Sequence, residues 1–518
     1  MSHYNEIVEQ IAAYPENTSI RMKLAERLSG DGNVMGEIIR LQCEVDELTE
    51  QDAGWYWRSF KLANLLRGTN PFLAAFVDES NESVWTSELH AIKHDGKSVG
   101  HGKIERGIIE TYAVFDVVRM KACEQAVMSA APLIRNFEFS DLRTTEHFDA
   151  FASLDAISHA TGLRFSKCHF PTGEFERILN LKQCGLVVGL AFAECTFDDG
   201  VDALLRTNVA KKVQRLVITL DREQAAEFGR ERSYLGDLFT SGNLPSLLSL
   251  ELDQCCFTED LIRMADWRGL DQLVDLKLGA HDWTANAFQD FLRNDLNSLE
   301  SLQLSRIRGE LRSVELGAIP RLRLFSLKGP TLCSEAMLTL SGSVADSLQH
   351  LTLANCTLTT SSLDNLLHGA ELPSLRYLNL QLNELDGNAV EQIVATPWLE
   401  NLIALKLSFN RLGSDAAGCL ANSTVMKNLA FLDLSETELG DVGAQQIAMA
   451  PAANLQWLNL DANAITSDSL SALLDLRQMT NLVALRLKGN DVFNVHKQEF
   501  VERFGEDGVN SYWLGYLV

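Results

Sequence analysis

The sequence predicts an α/β fold, a curved solenoid of about fourteen repeated units with parallel strands on its concave face, helices on its convex face and an α-helical domain at the N-terminus. Three observations support this prediction. An eleven-residue apolar pattern recurs along most of the chain, its copies keep a nearly constant spacing, and apolar residues follow a helical period between the copies. Because a single unit of this kind cannot bury its apolar face alone, the units must stack on one another.

The clearest copy of the pattern is Leu375–Leu385, with the sequence LRYLNLQLNEL. Its spacing, L-x-x-L-x-L-x-x-N-x-L, is typical of a leucine-rich repeat. Leu378 and Leu380 lie two residues apart, so both point to one face of a strand. Asn383 carries two amide donors and a carbonyl acceptor, which can satisfy backbone groups where the chain leaves the strand. The pattern therefore predicts a buried strand followed by a turn.

Copies of this pattern recur from residue 134 to residue 492. Their fourth positions fall at residues 137, 163, 190, 216, 250, 276, 302, 325, 351, 378, 405, 432, 458 and 485. Successive steps are 26 or 27 residues long, apart from one of 34 and one of 23. The long step predicts an enlarged helix or an excursion at Asp221–Asn243.

The ninth position of the pattern alternates between two residue types. It is asparagine at 383, 410, 463 and 490, and cysteine at 168, 195, 255 and 356. This alternation resembles the ribonuclease-inhibitor-like class of leucine-rich repeats, which implies a helix after each strand. The intervening segments agree independently, because residues such as Val390, Ile393 and Val394 follow the period of a helix. Strands stack about 4.8 Å apart and helices about 8–10 Å apart, so such an array must curve.

The N-terminal segment carries a second resemblance. Short helices are predicted at Glu6–Ala13, Ser19–Leu28 and Met35–Leu48. The run Gly36-Glu-Ile-Ile-Arg-Leu-Gln42 resembles the repeat-companion domain that precedes leucine-rich repeats in bacteria, and Arg106-Gly-Ile-Ile-Glu110 is similar to the step that leads from that domain into the repeats. The resemblance implies a bacterial protein and brings no established activity with it.

Four segments follow from these patterns. Residues 1–50 form the companion-like domain, residues 51–130 a helical linker with a degenerate first repeat, residues 131–492 the solenoid, and residues 493–518 a C-terminal cap. Within the second segment, helices are predicted at Ala53–Leu66 and Val117–Ala130, separated by a polar, glycine-rich loop at His90–Lys103.

Composition narrows the possible partners. The net charge of −25 is spread along the chain and no segment is strongly basic, which argues against binding to nucleic acid or to anionic membranes. No window approaches the roughly 18 uninterrupted apolar residues of a membrane span, so no membrane insertion is expected. The first ten residues lack the features of a secretory signal, and we expect a cytoplasmic protein with reduced thiols.

No catalytic constellation is apparent. Asp95-Gly-Lys-Ser98 lacks the preceding glycine and strand of a phosphate-binding loop, and Cys255 of the pair Cys255-Cys256 occupies a core position of the repeat. Cysteine and histidine pairs with metal-ligand spacing are also missing. We therefore expect no catalytic, cofactor-binding or metal-binding residues, and no enzymatic activity.

The surface of the strands is the predicted functional site. The third and fifth positions of each strand point away from the leucine core, towards the concave face. Aromatic residues occupy several third positions, and Leu382 and Phe409 lie at the edge. We expect these side chains to be exposed, and an exposed aromatic set within mixed charge has the composition of a protein-binding hot spot. The predicted partner-binding residues are Tyr377, Lys406, Phe409, Phe431, Asp433, Trp457, Asn459 and Arg486. The alternative is that these rings pack on each other or on the tail, or line a surface without function.

The predicted function is a cytoplasmic, non-enzymatic scaffold that binds a partner protein on its concave face. The alternative is a regulator of another enzyme, such as a GTPase-activating protein. That activity would require an exposed arginine or asparagine that reaches a nucleotide, for which Arg215, Arg306 and Arg411 are available.

Overall fold

A computed structural model supplies the coordinates. It describes residues 18–30, 34–47, 77–78, 81–82, 93–94, 97–105, 108–130, 134–220, 235, 237–240, 242–280, 283, 285–294, 296–305, 310–339, 342–369 and 371–510. The chain divides into two compact units, and within the repeats the boundary lies between Leu273 and Val274. The predicted helices Glu6–Ala13 and Ala53–Leu66 and most of the Asp221–Asn243 excursion lie outside the described residues.

Two N-terminal helices pack against each other in the first unit, α1 (Thr18–Gly30) and α2 (Val34–Glu47). Both predicted helices are confirmed, with ends that differ by one or two residues from those expected. Apolar side chains such as Leu24 and Ile38 are buried. Gly36 permits the close approach, because a Cβ atom there would lie 2.4 Å from the backbone nitrogen of Ser29.

The long sheet of the first unit begins with an antiparallel pair, and its other strands are parallel. In order they are β1 (Gly100–Glu105), β2 (Ile108–Val114), β3 (Asn136–Ser140), β4 (Gly162–Ser166), β5 (Gly189–Ala193), β6 (Arg215–Thr219) and β7 (Ser249–Cys256). Shorter pairs lie outside this sheet, Val77–Asp78 with Asn81–Glu82 and His169–Phe170 with Thr196–Phe197.

Helices connect the parallel strands of the first unit. The α-helices are α3 (Val117–Ala130), α4 (Thr145–Ala152), α5 (Glu174–Leu179) and α6 (Thr258–Ala265), with 3₁₀ helices at Ala156–His159, Lys182–Leu186, Val201–Arg206, Val209–Lys211 and Arg268–Gln272. The predicted helix Val117–Ala130 is confirmed.

The predicted loop at His90–Lys103 is wrong. Lys93–His94 pairs with Lys97–Ser98, and β1 pairs antiparallel with β2 from Gly100 onwards. The glycines that suggested a loop instead allow close backbone contact, since a Cβ atom on Gly100 would lie 2.4 Å from the carbonyl oxygen of Ala113. The hairpin also gives the outer edge of β2 a hydrogen-bonded partner.

Nine parallel strands are described in the long sheet of the second unit. They are β8 (Asp275–Ala280), β9 (Ser301–Ser305), β10 (Leu324–Lys328), β11 (His350–Ala354), β12 (Tyr377–Asn379), β13 (Ala404–Lys406), β14 (Phe431–Asp433), β15 (Trp457–Asn459) and β16 (Ala484–Arg486). The α-helices are α7 (Ala285–Leu292), α8 (Gly342–Ser347), α9 (Thr360–Gly369), α10 (Gly387–Ala395), α11 (Gly413–Ala421), α12 (Thr424–Asn428), α13 (Gly440–Ala448), α14 (Leu470–Asp475) and α15 (Asp491–Asn510), with 3₁₀ helices at Pro397–Asn401 and Ser467–Ser469.

One repeat replaces its helix with a strand. After β9, Glu310–Glu315 pairs in parallel with Thr331–Thr339, which follows β10. The step between the fourth positions of these two repeats is the 23-residue one. An extended strand rises more per residue than a helix and covers the distance with fewer residues, which suits the shortened repeat.

The predicted register of the repeats is confirmed within each unit. Every fourth-position residue of the first unit pairs with the fourth-position residue of the next strand, as Phe137 does with Leu163 and Leu216 with Leu250. The same holds from Leu276 to Leu485 in the second unit. The structure is therefore an α/β solenoid of leucine-rich repeats, as the spacing predicted. The ladder also extends upstream, because Tyr112 of β2 pairs with Phe137.

The ninth-position residues close each turn against the preceding repeat. The side-chain amide of Asn410 donates to the carbonyl oxygens of Leu380 and Leu407, both at 2.9 Å, and its oxygen accepts from the backbone nitrogen of Leu385 at 3.1 Å. Cysteine performs part of this role, since the thiol of Cys195 donates to the carbonyl oxygen of Phe165 at 3.4 Å. The nine cysteines whose side chains the structure describes are free thiols.

The last helix, α15, packs on the end of the second unit. It contacts β16 and α14, and Val492 and Phe500 are fully buried. Non-helical backbone at His496 and Gly505 interrupts it. These contacts are those expected of a C-terminal cap; the tail aromatics Tyr512, Trp513 and Tyr516 lie outside the described residues.

Identical substitutions at a buried and an exposed leucine of one repeat test the register. Leu378 is 1% exposed and Leu382 is 44% exposed. We expect Leu378→Asp to lower the free energy of unfolding by about 4 kcal/mol or more, because it buries a carboxylate among leucines. Leu382→Asp should change it by less than about 0.5 kcal/mol. Denaturant unfolding measures both, and equal losses would contradict the register.

Substitution of Asn410 tests the ninth-position ladder. Asn410→Leu leaves the carbonyl oxygen of Leu407 and the backbone N–H of Leu385 without their side-chain partner, while the carbonyl oxygen of Leu380 keeps the amide of Asn383 at 2.9 Å. It should destabilise the protein by about 3 kcal/mol. Asn410→Cys should destabilise it less, since a thiol can still donate to a carbonyl oxygen. The check is chemical unfolding followed by circular dichroism. An Asn410→Leu variant as stable as the wild type would show that the ladder contributes little.

Candidate functional site

Parallel pairing brings the predicted site residues of the second unit side by side. Tyr377 lies beside Ala404 on the next strand, and Phe431 beside Trp457. The fifth-position residues form a second row that runs from Thr352 through Asn379, Lys406, Asp433 and Asn459 to Arg486. We call the third-position row and the fifth-position row together the strand face.

The three aromatic rings are buried, so their expected exposure is wrong. Tyr377 is 0%, Phe431 1% and Trp457 3% exposed. Part of the reason is stacking within the row. Phe431 and Trp457 lie face to face with ring centroids 4.2 Å apart and planes 8° apart, and His350 stacks on Tyr377 at 4.7 Å and 12°. The spacing of adjacent strands, about 4.8 Å, places aromatic side chains of one row in direct contact.

Lys406 occupies the gap between the two stacks. Its Nζ atom lies 5.8 Å from the ring centroid of Tyr377 and 5.4 Å from that of Phe431, within the range of a cation–π interaction. Ala404, two residues earlier on the same strand, is too small to fill this space. Lys406 is only 2% exposed, so it is a buried cation rather than the exposed one expected from the sequence.

Charged residues continue the strand face beyond Lys406. The backbone nitrogen and hydroxyl of Ser435 donate to a carboxylate oxygen of Asp433 at 3.0 Å and 2.8 Å. Burial raises the pKa of Asp433, an effect that Ser435, Lys406 and Arg486 partly oppose. Arg486 pairs with Asp461, with 2.9 Å between Nε and the carboxylate oxygen. Opposite charges on neighbouring strands thus stiffen this end of the face.

Two polar groups of the strand face have no hydrogen-bond partner within the described part of the chain. They are the Nε1–H of Trp457 and the side-chain NH₂ of Asn379. Asn379 is 0% exposed, although its oxygen accepts from the backbone nitrogen of Gln381 at 3.0 Å. A buried donor without an acceptor costs about 1–3 kcal/mol.

In most repeats the turn after the strand has left-handed backbone at the eighth position. Positive φ angles occur there at Asp141, Lys167, Glu194, Gln254, Gly329, Asn355, Leu382, Phe409, Glu436, Ala462 and Gly489. Asn and Gly adopt this conformation readily, whereas other residues lose about 1–2 kcal/mol in it. Leu382 and Phe409, both at φ 57°, are therefore unfavourable residues for the turns they form.

These two residues are also exposed. Leu382 is 44% and Phe409 45% exposed, and they lie on adjacent turns. The backbone nitrogen of Leu382 donates to the carbonyl oxygen of Ser408, the residue before Phe409, at 2.9 Å. We call this pair the apolar edge. Among the eight predicted site residues, Phe409 is the one whose side chain is largely open to solvent.

The predicted site left out two residues that the structure places beside it. His350 belongs to the third-position row and Asp461 follows the fifth-position row at the seventh position. Both could have been found by their place in the repeat, because every third, fifth and seventh position of a strand shares one face. Of the arginines considered for a regulatory role, Arg215 and Arg411 are exposed and Arg306 lies outside the described residues.

Metal-binding clusters and membrane-spanning helices are two further kinds of site. Within the described ranges, no group of three or more His, Cys, Asp or Glu side chains is placed to hold a metal ion. None of the helices in those ranges has the length and apolar character needed to cross a membrane.

Comparison with known proteins yields distant structural similarity. No family model matches the chain, and no curated protein matches it. The chain is similar to a structure of the Rad7 and Elc1 complex in yeast, with 18% identity, a TM-score of 0.37, and coverage of 69% of this chain and 76% of that one. It is also similar to an internalin from Listeria monocytogenes, with 16% identity, a TM-score of 0.31, and coverage of 69% and 82%. At TM-scores this low, the description of the fold rests on the strands and register of this chain.

The buried imidazole of the strand face predicts a pH dependence. Burial lowers the pKa of His350 from 6.5 to about 4. As the pH falls below 6.5, His350 becomes protonated in the unfolded chain, whereas in the folded chain it stays neutral until the pH approaches 4. The free energy of unfolding should therefore decrease between pH 6.5 and pH 4, by about 2–3 kcal/mol. His350→Phe keeps a ring against Tyr377 and should reduce this dependence. Urea unfolding between about pH 7 and pH 4 tests this, and identical pH profiles for wild type and His350→Phe would contradict it.

Proposed function

We propose that this protein is a non-enzymatic scaffold that binds a partner protein through the strand side of its second unit. We also propose that it is a bacterial, cytoplasmic protein whose repeats are of the ribonuclease-inhibitor-like class. The apolar edge, Leu382 and Phe409, is the centre of the binding surface, and the strand face supports it.

The observation that carries this proposal is the combination of exposure and backbone strain at the apolar edge. Leu382 and Phe409 place apolar side chains in water and hold left-handed backbone that asparagine would adopt at lower energy. Asn355 occupies the same position one repeat earlier, at φ 55°, so the turn accepts asparagine. Folding stability therefore does not account for these residues. A contact that buries these two side chains in a partner would account for them. Strained backbone and exposed apolar side chains are both features of binding sites.

The strand face supports this edge by rigidity. The stacked pair Phe431 and Trp457, the buried cation of Lys406 and the ion pair of Arg486 hold the strands that lead into the turns. A surface fixed before binding loses less entropy when the partner docks. Tyr377, Asp433 and Asn459 belong to the same rows and take the same supporting role.

The double variant Leu382→Asn with Phe409→Asn tests the proposal. Asparagine relieves the left-handed strain, so the melting temperature should stay the same or rise. Removing two anchors should weaken partner binding by about 2 kcal/mol or more, roughly 30-fold. Affinity purification from the native cytosol, followed by titration of the main co-purifying protein, measures the effect.

A matched control uses the same substitution at the same position of other repeats. Glu194→Asn with Ala462→Asn also places asparagine in left-handed turns, and this variant should keep the partner. If the Leu382→Asn and Phe409→Asn variant retained the partner with wild-type affinity, the apolar edge would not be the binding surface.

A further inference from the structure

We infer that the apolar edge docks a basic segment of a partner protein, one in which an apolar side chain is flanked by lysine or arginine. This inference rests on the proposed function and specifies the chemistry of the partner at the same surface. It follows from the residues that surround Leu382 and Phe409.

Acidic residues lie close to the apolar edge, in the repeat of Leu382 and in the repeat after Phe409. Glu384 lies two residues after Leu382, and Glu436 occupies the eighth position of the repeat that follows Phe409. The backbone nitrogen of Phe409 donates to the carbonyl oxygen of Ser435 at 2.9 Å, which places Glu436 on the turn adjacent to Phe409. Glu438 follows two residues later. All three glutamates are exposed.

These carboxylates are not neutralised by neighbours. None of Glu384, Glu436 and Glu438 takes part in an ion pair with another described residue, whereas nearby Asp461 is paired with Arg486. Arg411 is the exposed cation of this group of turns. Three carboxylates and one guanidinium give this group of turns an excess of negative charge beside an apolar centre.

Charge complementarity therefore selects the occupant. A lysine or arginine on either side of an apolar anchor would meet the free carboxylates, while an acidic segment or a nucleic acid would be repelled. The protein as a whole carries a net charge of −25, which attracts a basic partner at longer range and speeds its association. Small cations do not explain the apolar centre, which needs an apolar group to cover it.

The experiment uses the full chain and three synthetic peptides of equal length labelled with fluorescein. The first peptide carries leucine and phenylalanine flanked by lysine and arginine, the second carries the same apolar residues flanked by glutamate, and the third keeps the basic flanks but replaces the apolar residues with serine. Fluorescence anisotropy at about 50 mM salt should show the first peptide binding at least about tenfold more tightly than either of the others. Raising the salt to about 500 mM should weaken its binding several-fold.

Two pairs of substitutions separate this inference from the proposed function. Glu436→Gln with Glu438→Gln should weaken binding of the first peptide about tenfold and reduce its salt dependence. Leu382→Asn with Phe409→Asn should abolish its binding. Glu371→Gln with Glu502→Gln, at exposed glutamates elsewhere in the second unit, is the matched control and should change the affinity less than about twofold.

Each other outcome overturns a defined statement. If the asparagine pair abolishes binding while the Glu436→Gln and Glu438→Gln pair has no effect, the partner is not basic, but the proposed binding surface stands. If the acidic peptide binds as well as the basic one, the partner is likewise not basic. If the glutamine pair weakens binding and the asparagine pair does not, the apolar edge is not a docking surface and both statements fail. Absence of binding by all three peptides also overturns the inference.

Discussion

The structure depends on one constraint, the in-register stacking of parallel strands about 4.8 Å apart. Because each fourth-position residue lies directly beside its counterpart on the next strand, the apolar residues form one continuous core within each unit. The same spacing governs the opposite side of the strands. There it brings Phe431 against Trp457 and His350 against Tyr377, and it leaves a gap above Ala404 that Lys406 fills.

The turns obey the same repetition. At the ninth position, asparagine or cysteine donates to backbone carbonyl oxygens of the preceding repeat, so the chain leaves each strand in the same direction. At the eighth position the backbone becomes left-handed in repeat after repeat, whatever residue is present. The geometry of the turn is therefore imposed chiefly by stacking, since Asp141 and Gly329 adopt it although Leu142 and Pro330 follow them, and the ninth-position hydrogen bonds reinforce it elsewhere. The eighth side chain is left free to vary, and at Leu382 and Phe409 it is exposed at the surface.

This division of roles explains why the proposed binding surface lies at the turns. On the strand face, side chains from adjacent strands cover one another in part, as Phe431 and Trp457 do, and Tyr377, Lys406 and Trp457 are buried. A residue at the eighth position has its backbone fixed but its side chain exposed, as Leu382 and Phe409 are. Such a position can change its chemistry with little effect on the core. In the second unit, the eighth position carries the apolar pair Leu382 and Phe409, beside glutamates that form no ion pair with another described residue.

The sequence by itself determined the repeated part of the fold. The positions of the strands, the burial of the leucines and the role of residues such as Asn410 followed from a short pattern, since each repeat contacts chiefly its neighbours and local spacing dictates the core. Glycines misled at Gly100, where a loop was expected and a hairpin forms, because the pattern cannot distinguish flexibility from close packing. Only the tertiary structure decided which site residues are exposed. The alternation of a strand shows which side of it a side chain occupies but not whether that side is covered. Tyr377, Phe431 and Trp457 are buried in part by stacking on side chains from other strands, and those contacts exist only after the repeats have stacked.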